Sequence, residues 1–295
     1  MRYLKKLKVN NEMNEDWLVK ATSSKKAKVD ELKEIEDELK RVYKSYDRII
    51  INHKNKIKKS KFLTASDALK DFYNHPPKRL KKLIQERRTD HGLNECPFCG
   101  KPTAPSTLDH YVPKSDWPEF SIFQNNLVPQ CKECAPIKGD SYYCDEKGLA
   151  IFISPLYSDI LSKVCFHIDV EYSKDCNVIN INPRFFLSGD IDKEEEFRLK
   201  MHFESLKIKE RIERYSYRRI RHWKNLLKEN RFDIAEVLQT RIKERTLDER
   251  DKNWETSLYI GILENQELVD YLNSLCPENE LPIKKEKLKK REMVL

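Results

Sequence analysis

Cys96-Pro97-Phe98-Cys99 and Cys131-Lys132-Glu133-Cys134 are two C-x-x-C knuckles separated by 31 residues. This spacing brings four soft thiolate ligands around one tetrahedral Zn²⁺. A Cys₄ set leaves no open position for water, so such a zinc is structural, and its binding energy helps fold a segment with little core of its own. Cys144, Cys165, Cys176 and Cys276 lack any such pairing and read as ordinary buried or surface thiols.

Between the knuckles run Leu108-Asp109-His110-Tyr111-Val112-Pro113-Lys114-Ser115 and Asn125-Asn126-Leu127-Val128-Pro129, and the second knuckle continues into Ala135-Pro136-Ile137-Lys138. In this order the pieces resemble the HNH endonuclease family, in the subgroup whose ββα-metal fold is stapled by two C-x-x-C pairs. The resemblance covers residues 96–138. It implies hydrolysis of DNA phosphodiester bonds, which needs a nucleophilic water and a divalent ion, Mg²⁺ or Mn²⁺, to stabilise charge on the phosphate and leaving oxygen. His110 would be the general base, a role suited to an imidazole, and Asp109 a hard oxygen ligand of the catalytic ion. Asn126 would fix the loop that carries the histidine. Lys114 and Lys138 would touch phosphate, and Arg87 and Arg88, which end a basic run just before the first knuckle, would also meet nucleic acid.

One position departs from the family pattern. After the last cysteine the family usually has Asn or His, which supplies a further metal ligand; here the slot holds Ala135. Either a neighbour such as Asp140 or Glu133 replaces it, or the nuclease is degenerate, or the chain is an inactivated form. The other motif positions are intact, which favours the last.

Elements must position these residues. With 39% hydrophobic and 36% charged residues and only 6 Gly, the chain reads as globular, mainly α and rich in exposed helix. Apolar spacing predicts a long amphipathic helix over 28–60, its later part strongly basic. Helix is predicted again from Ser66-Asp67, interrupted at Pro76-Pro77, and running on through Arg88. Short strands are predicted at 150–153 and 165–172, the second piece ending at an Asn182-Pro183 turn. Helices follow from Gly189-Asp190 to about Asn230, over 233–245 and between Asn253 and Ser274, with a frayed Lys-rich end over 283–291. The division expected is a basic helical region (1–90), a zinc-stapled ββα-metal module (91–145) and a mainly helical region fit for partner docking (146–295).

The net charge of +8 is modest for 295 residues and is weak support for a polyanionic partner. No apolar run suggests a membrane span, and no signal-peptide core follows Met1, so the expected place is the cytoplasm, where thiols stay reduced. The helical flanks look like those of HNH subunits in Septu-type anti-phage systems, including the retron-associated kind. That implies an ABC/AAA-like ATPase partner and, in the retron case, a reverse transcriptase with its non-coding RNA. Two other readings stand beside this one: a zinc-stabilised nucleic-acid-binding or scaffold protein that does not cut, and an HNH toxin that cleaves tRNA.

Overall fold

The computed structural model describes residues 1–10 and 16–278. The Lys-rich end expected over 283–291 lies outside them. The chain opens with α1 (Asp16–Thr22), α2 (Val29–Glu34) and α3 (Glu36–Ile51), the last turning Leu39, Tyr43, Tyr46 and Ile50 to the core at helical spacing. The continuous helix expected over 28–60 is thus broken at Ile35 and stops at Ile51. The backbone beyond it is used elsewhere: His53 O accepts from Ala150 N, Lys54 O from Tyr143 Oη, and Lys58 O from Trp117 Nε1. Carbonyls bonded to the central module cannot also serve an i→i−4 ladder.

Pro76-Pro77 separates α4 (Ser66–Asn74) from α5 (Lys78–Thr89), as expected of residues without an N–H. Next come β1 (Thr107–His110) and β2 (Leu127–Gln130), paired antiparallel from Thr107↔Gln130 to His110↔Leu127, and the five-residue α6 (Cys134–Lys138). The strand expected at 150–153 is reduced to β4 (Leu149–Ala150), which pairs with β3 (Tyr143–Cys144).

A long hairpin follows, β5 (Val164–Ser173) with β6 (Val178–Leu187). The turn expected at Asn182-Pro183 does not exist; β6 runs through both residues, with Pro183 opposite Ile168. In a two-stranded sheet each strand has a free edge, where a missing N–H need not break the ladder.

The chain ends in α7 (Lys193–Ser205), α8 (Ile208–Glu229), α9 (Ile234–Lys243), α10 (Trp254–Leu263) and α11 (Gln266–Asn273). Asp192 and Glu195 form a capping box on α7, and Asp233, Asn253 and Asn265 cap the last three helices through their side chains. Lys207, at φ +51°, splits α7 from α8 where a single helical stretch is expected. α10 lies against β5 so closely that a Cβ on Gly261 would stand 1.9 Å from Ile168 O.

The described residues are therefore about half helical, with three two-stranded sheets. One continuous core joins the three regions, with Tyr43, Phe98, Phe123, Leu206 and Trp254 all in it. No helix among the described residues is long and apolar enough to cross a membrane.

Candidate zinc centre and histidine site

The four knuckle sulfurs converge. Cys96 Sγ lies 4.0 Å from Cys134 Sγ, Cys99 Sγ lies 3.9 Å from Cys131 Sγ, and all four are buried within 4.8 Å of one another. Zn–S bonds of about 2.3 Å define a tetrahedron with edges of about 3.8 Å. The set therefore fits a structural ion such as zinc with little rearrangement.

The surroundings of this cluster come from the far end of the chain. Arg211 of α8 places Nη1 3.3 Å from Cys134 Sγ, and Nη2 3.6 Å from Cys99 Sγ and 3.8 Å from Cys131 Sγ. Burial alone would loosen the guanidinium proton, but the thiolates of Cys99 and Cys134 outweigh it and raise the pKa. Trp254 Nε1 donates to Cys99 O at 2.7 Å, and His202 Nε2 donates to Phe98 O at 2.7 Å. Ile153 N in turn donates to His202 Nδ1 at 3.1 Å, so the imidazole is held neutral. Helices α7, α8 and α10 thus close over the first knuckle. Sequence reading missed Arg211, since nothing local distinguishes it from the other bases of its run.

His110 ends β1. Its Nε2 is 3.0 Å from Ser121 O, and because a carbonyl only accepts, Nε2 carries the proton and Nδ1 keeps its lone pair. Burial, then Lys114, pushes the imidazole pKa down to about 3, so the ring is neutral at physiological pH. The ring sits edge-on to Tyr73 of α4 at 4.3 Å.

Asn126 holds the loop between β1 and β2. Its Oδ1 accepts from Tyr46 Oη and Val112 N, both at 2.7 Å; its Nδ2 donates to Val112 O at 2.9 Å and Phe120 O at 3.1 Å. Ser121, the partner of His110, follows Phe120 directly. This fully bonded side chain is well placed to orient the histidine.

Asp109 is buried, with Oδ1 3.2 Å from Lys138 Nζ. Burial raises its pKa, opposed by Lys138. Lys138 Nζ also donates to His110 O at 3.1 Å, and its side chain is fully enclosed. Asp109 Oδ2 is buried with no partner and could accept a cation, but the residues around it supply nothing more. Ala135, one turn before Lys138, has no donor atom; Asp140 is exposed; Glu133 is turned to Lys101 and Arg211 beside the cysteines. Among the described residues only the four cysteines converge as a set of three or more metal-type ligands. One carboxylate oxygen beside a buried ammonium does not fit a resident Mg²⁺ or Mn²⁺.

The basic residues expected on nucleic acid divide. Arg87 is buried, donating Nε to Leu127 O at 3.0 Å, Nη2 to Gln124 O at 3.2 Å and Nη1 to Leu7 O, so it braces the start of β2 and cannot reach phosphate. Burial lowers its pKa to about 10. Lys138 is enclosed in the same sense. Lys114 is half-buried, with Nζ 4.4 Å from the Tyr73 ring and bonded to Asn74 Oδ1 at 2.9 Å. Burial raises the pKa of the Tyr73 phenol, and the nearby Arg88 guanidinium opposes it. Tyr73, absent from the sequence reading, thus gathers Lys114 and Arg88 beside His110.

Over 58 residues the chain is 41% identical to Protein ea31 of Escherichia phage lambda, a stretch that is 19% of this chain and 20% of that protein. The chain therefore covers about a fifth of that relative's length. No family model and no solved structure matches the chain.

Proposed function

We propose that this chain carries an HNH-type endonuclease module directed at DNA, whose cutting is silent in the present sequence because Ala135 leaves the metal site short of a ligand. The observation that carries the reading is the arrangement of His110: it closes β1 of a hairpin followed by α6, donates Nε2–H to Ser121, and keeps the Nδ1 lone pair unbonded, with burial and Lys114 holding the ring neutral and weakly basic. Lys114 and Arg88, gathered on Tyr73, are the cations available to a phosphate there.

The Lys138 ammonium against Asp109 favours a second reading, a zinc-stabilised nucleic-acid binder that does not cut. Cleavage of plasmid, oligonucleotides and tRNA in Mg²⁺ or Mn²⁺ separates the readings, with the chain compared to Ala135→Asn and Ala135→His. The expected result is an inert parent and DNA cutting by at least one variant. Inert variants would leave the binding reading, and cutting confined to tRNA would replace DNA with RNA.

A role in anti-phage defence beside an ATPase and, in a retron setting, a reverse transcriptase rests on the likeness of the flanks alone. Such a partner would have to meet the outward residues of the C-terminal helices, such as Tyr217, Arg218 and Arg221 of α8, since the inward faces are committed to the core and zinc centre.

A further inference from the structure

A cleft of about 620 Å³ lies away from His110, between α3 and the strap of residues 52–62. Arg41 and Arg48 stand on the α3 wall, seven residues apart and so about 10 Å along one face. Lys56, Lys58, Lys59 and Lys61 stand on the strap. All six are exposed. Lys56 pairs with exposed Asp145, whereas Arg41, Arg48, Lys58, Lys59 and Lys61 have no acidic partner among the described residues. Of the two acids on the lining, Glu119 is buried and accepts from Ser60 Oγ at 2.6 Å, which leaves Glu38. Val42, Ile49, Ile57 and Phe62 supply apolar lining.

We infer that this cleft binds a single-stranded phosphodiester chain, with phosphates on the two basic walls and one or two nucleosides against the apolar lining. Unneutralised cations facing one another across a low-dielectric trough concentrate anions, and a charged rim with an apolar floor is the plan of single-strand sites. The volume is that of a small-ligand pocket, too small to seat a duplex. The cleft is also tied to the histidine site. Trp117 Nε1 donates to Lys58 O at 2.9 Å, Tyr43 Oη donates to Glu119 O at 2.9 Å, and Ser121, two residues on, holds His110. The strap carrying the lysines and the loop positioning the imidazole are therefore one braced unit. The choice of nucleic acid rests on the nuclease reading, but the test below reads binding and needs no cleavage.

The zinc-loaded full chain would be titrated against fluorescein-labelled oligo-dT and oligo-rU of about twelve nucleotides, a duplex of the same length and a Glu-rich peptide, by anisotropy over a range of salt. The variant Arg41→Ala/Arg48→Ala/Lys58→Ala/Lys59→Ala is compared with the charge-matched Arg214→Ala/Arg218→Ala/Arg221→Ala/Lys228→Ala, each checked for an unchanged melting temperature. The expected result is a loss of about tenfold or more for single strands in the cleft variant, with a salt slope shallower by about two, and a change within about twofold in the control. Tighter rU than dT would name RNA as the strand, the reverse DNA. Equal losses in both variants, an unaffected cleft variant, or preferential binding of the duplex or the acidic peptide would each overturn the assignment. Loss of binding in the cleft variant, with Ala135→Asn and Ala135→His both still inert, would support the cleft and sink the nuclease reading.

Discussion

Lys138 Nζ stands 3.2 Å from Asp109 Oδ1 and donates to His110 O at 3.1 Å, so a single enclosed ammonium joins α6 to the end of β1. Removing it leaves a buried carboxylate with no counter-charge. Lys138→Met should destabilise the fold by about 3–5 kcal/mol, and Asp109→Asn in the same chain should recover part of that. Denaturant unfolding of both singles and the double checks it; a loss under about 1 kcal/mol for Lys138→Met would contradict an enclosed pair.

Asn126 makes four hydrogen bonds at a site with no exposure. Asn126→Ala orphans Tyr46 Oη, Val112 N and two carbonyls, each worth about 1–3 kcal/mol when left buried and unpaired. The expected loss is therefore several kcal/mol, with faster hydrogen exchange over 111–126. Asn126→Asp keeps the acceptor but turns a carboxylate oxygen, which cannot donate, toward the Val112 and Phe120 carbonyls, so it should not rescue the loss.

The cysteine cluster should yield about one equivalent of zinc by mass spectrometry under native conditions. Chelation should lower the melting temperature, and Cys131→Ser should do so without chelator. Arg211→Met removes the cation that offsets the charge of about −2 on a four-thiolate zinc, and should speed zinc loss to a chelator. Unchanged release would mean that the guanidinium only packs there.

His202 has its pKa lowered from the ordinary 6.5 to about 4, chiefly by burial and against the bond to Phe98 O. The unfolded chain binds this proton first, so stability is complete above about pH 6.5 and falls as pH drops toward 4. The contribution at risk is about 3 kcal/mol. Unfolding midpoints measured from pH 7 down to 5 should decline, and the decline should be shallower in His202→Gln.

Gly261→Ala places a methyl 1.9 Å from Ile168 O, which forces α10 off β5. A loss of about 1–3 kcal/mol or more is expected from such overpacking. Gly148→Ala, where a Cβ meets nothing within 4 Å, carries only the strain of its φ of +66° and is the milder comparison.

What was legible in the residues is what short range decides. Two cysteines three apart on one knuckle present both sulfurs to the same side, so the pairing of knuckles could be read as one ligand set. Pro76-Pro77 ends a helix by its own covalent structure, and Asp233 and Asn253 cap helices that begin at the next residue. The ends of elements were harder wherever distant backbone intervened, as when Trp117 and Tyr143 draw residues 54–58 away from α3.

The sequence by itself determined that four thiols would share a site, that an Asp-His pair would stand between them, and that helix would be the dominant element. Tertiary structure alone decided which bases are free. Arg87 and Arg88 are neighbours of identical chemistry, yet one is buried against Leu127, Gln124 and Leu7 carbonyls and the other reaches Tyr73. Lys138 was likewise taken from solvent by Asp109, and Arg211 by the cysteines. Whether a charge is hydrated or buried depends on partners tens to hundreds of residues away, and no local pattern encodes that distance.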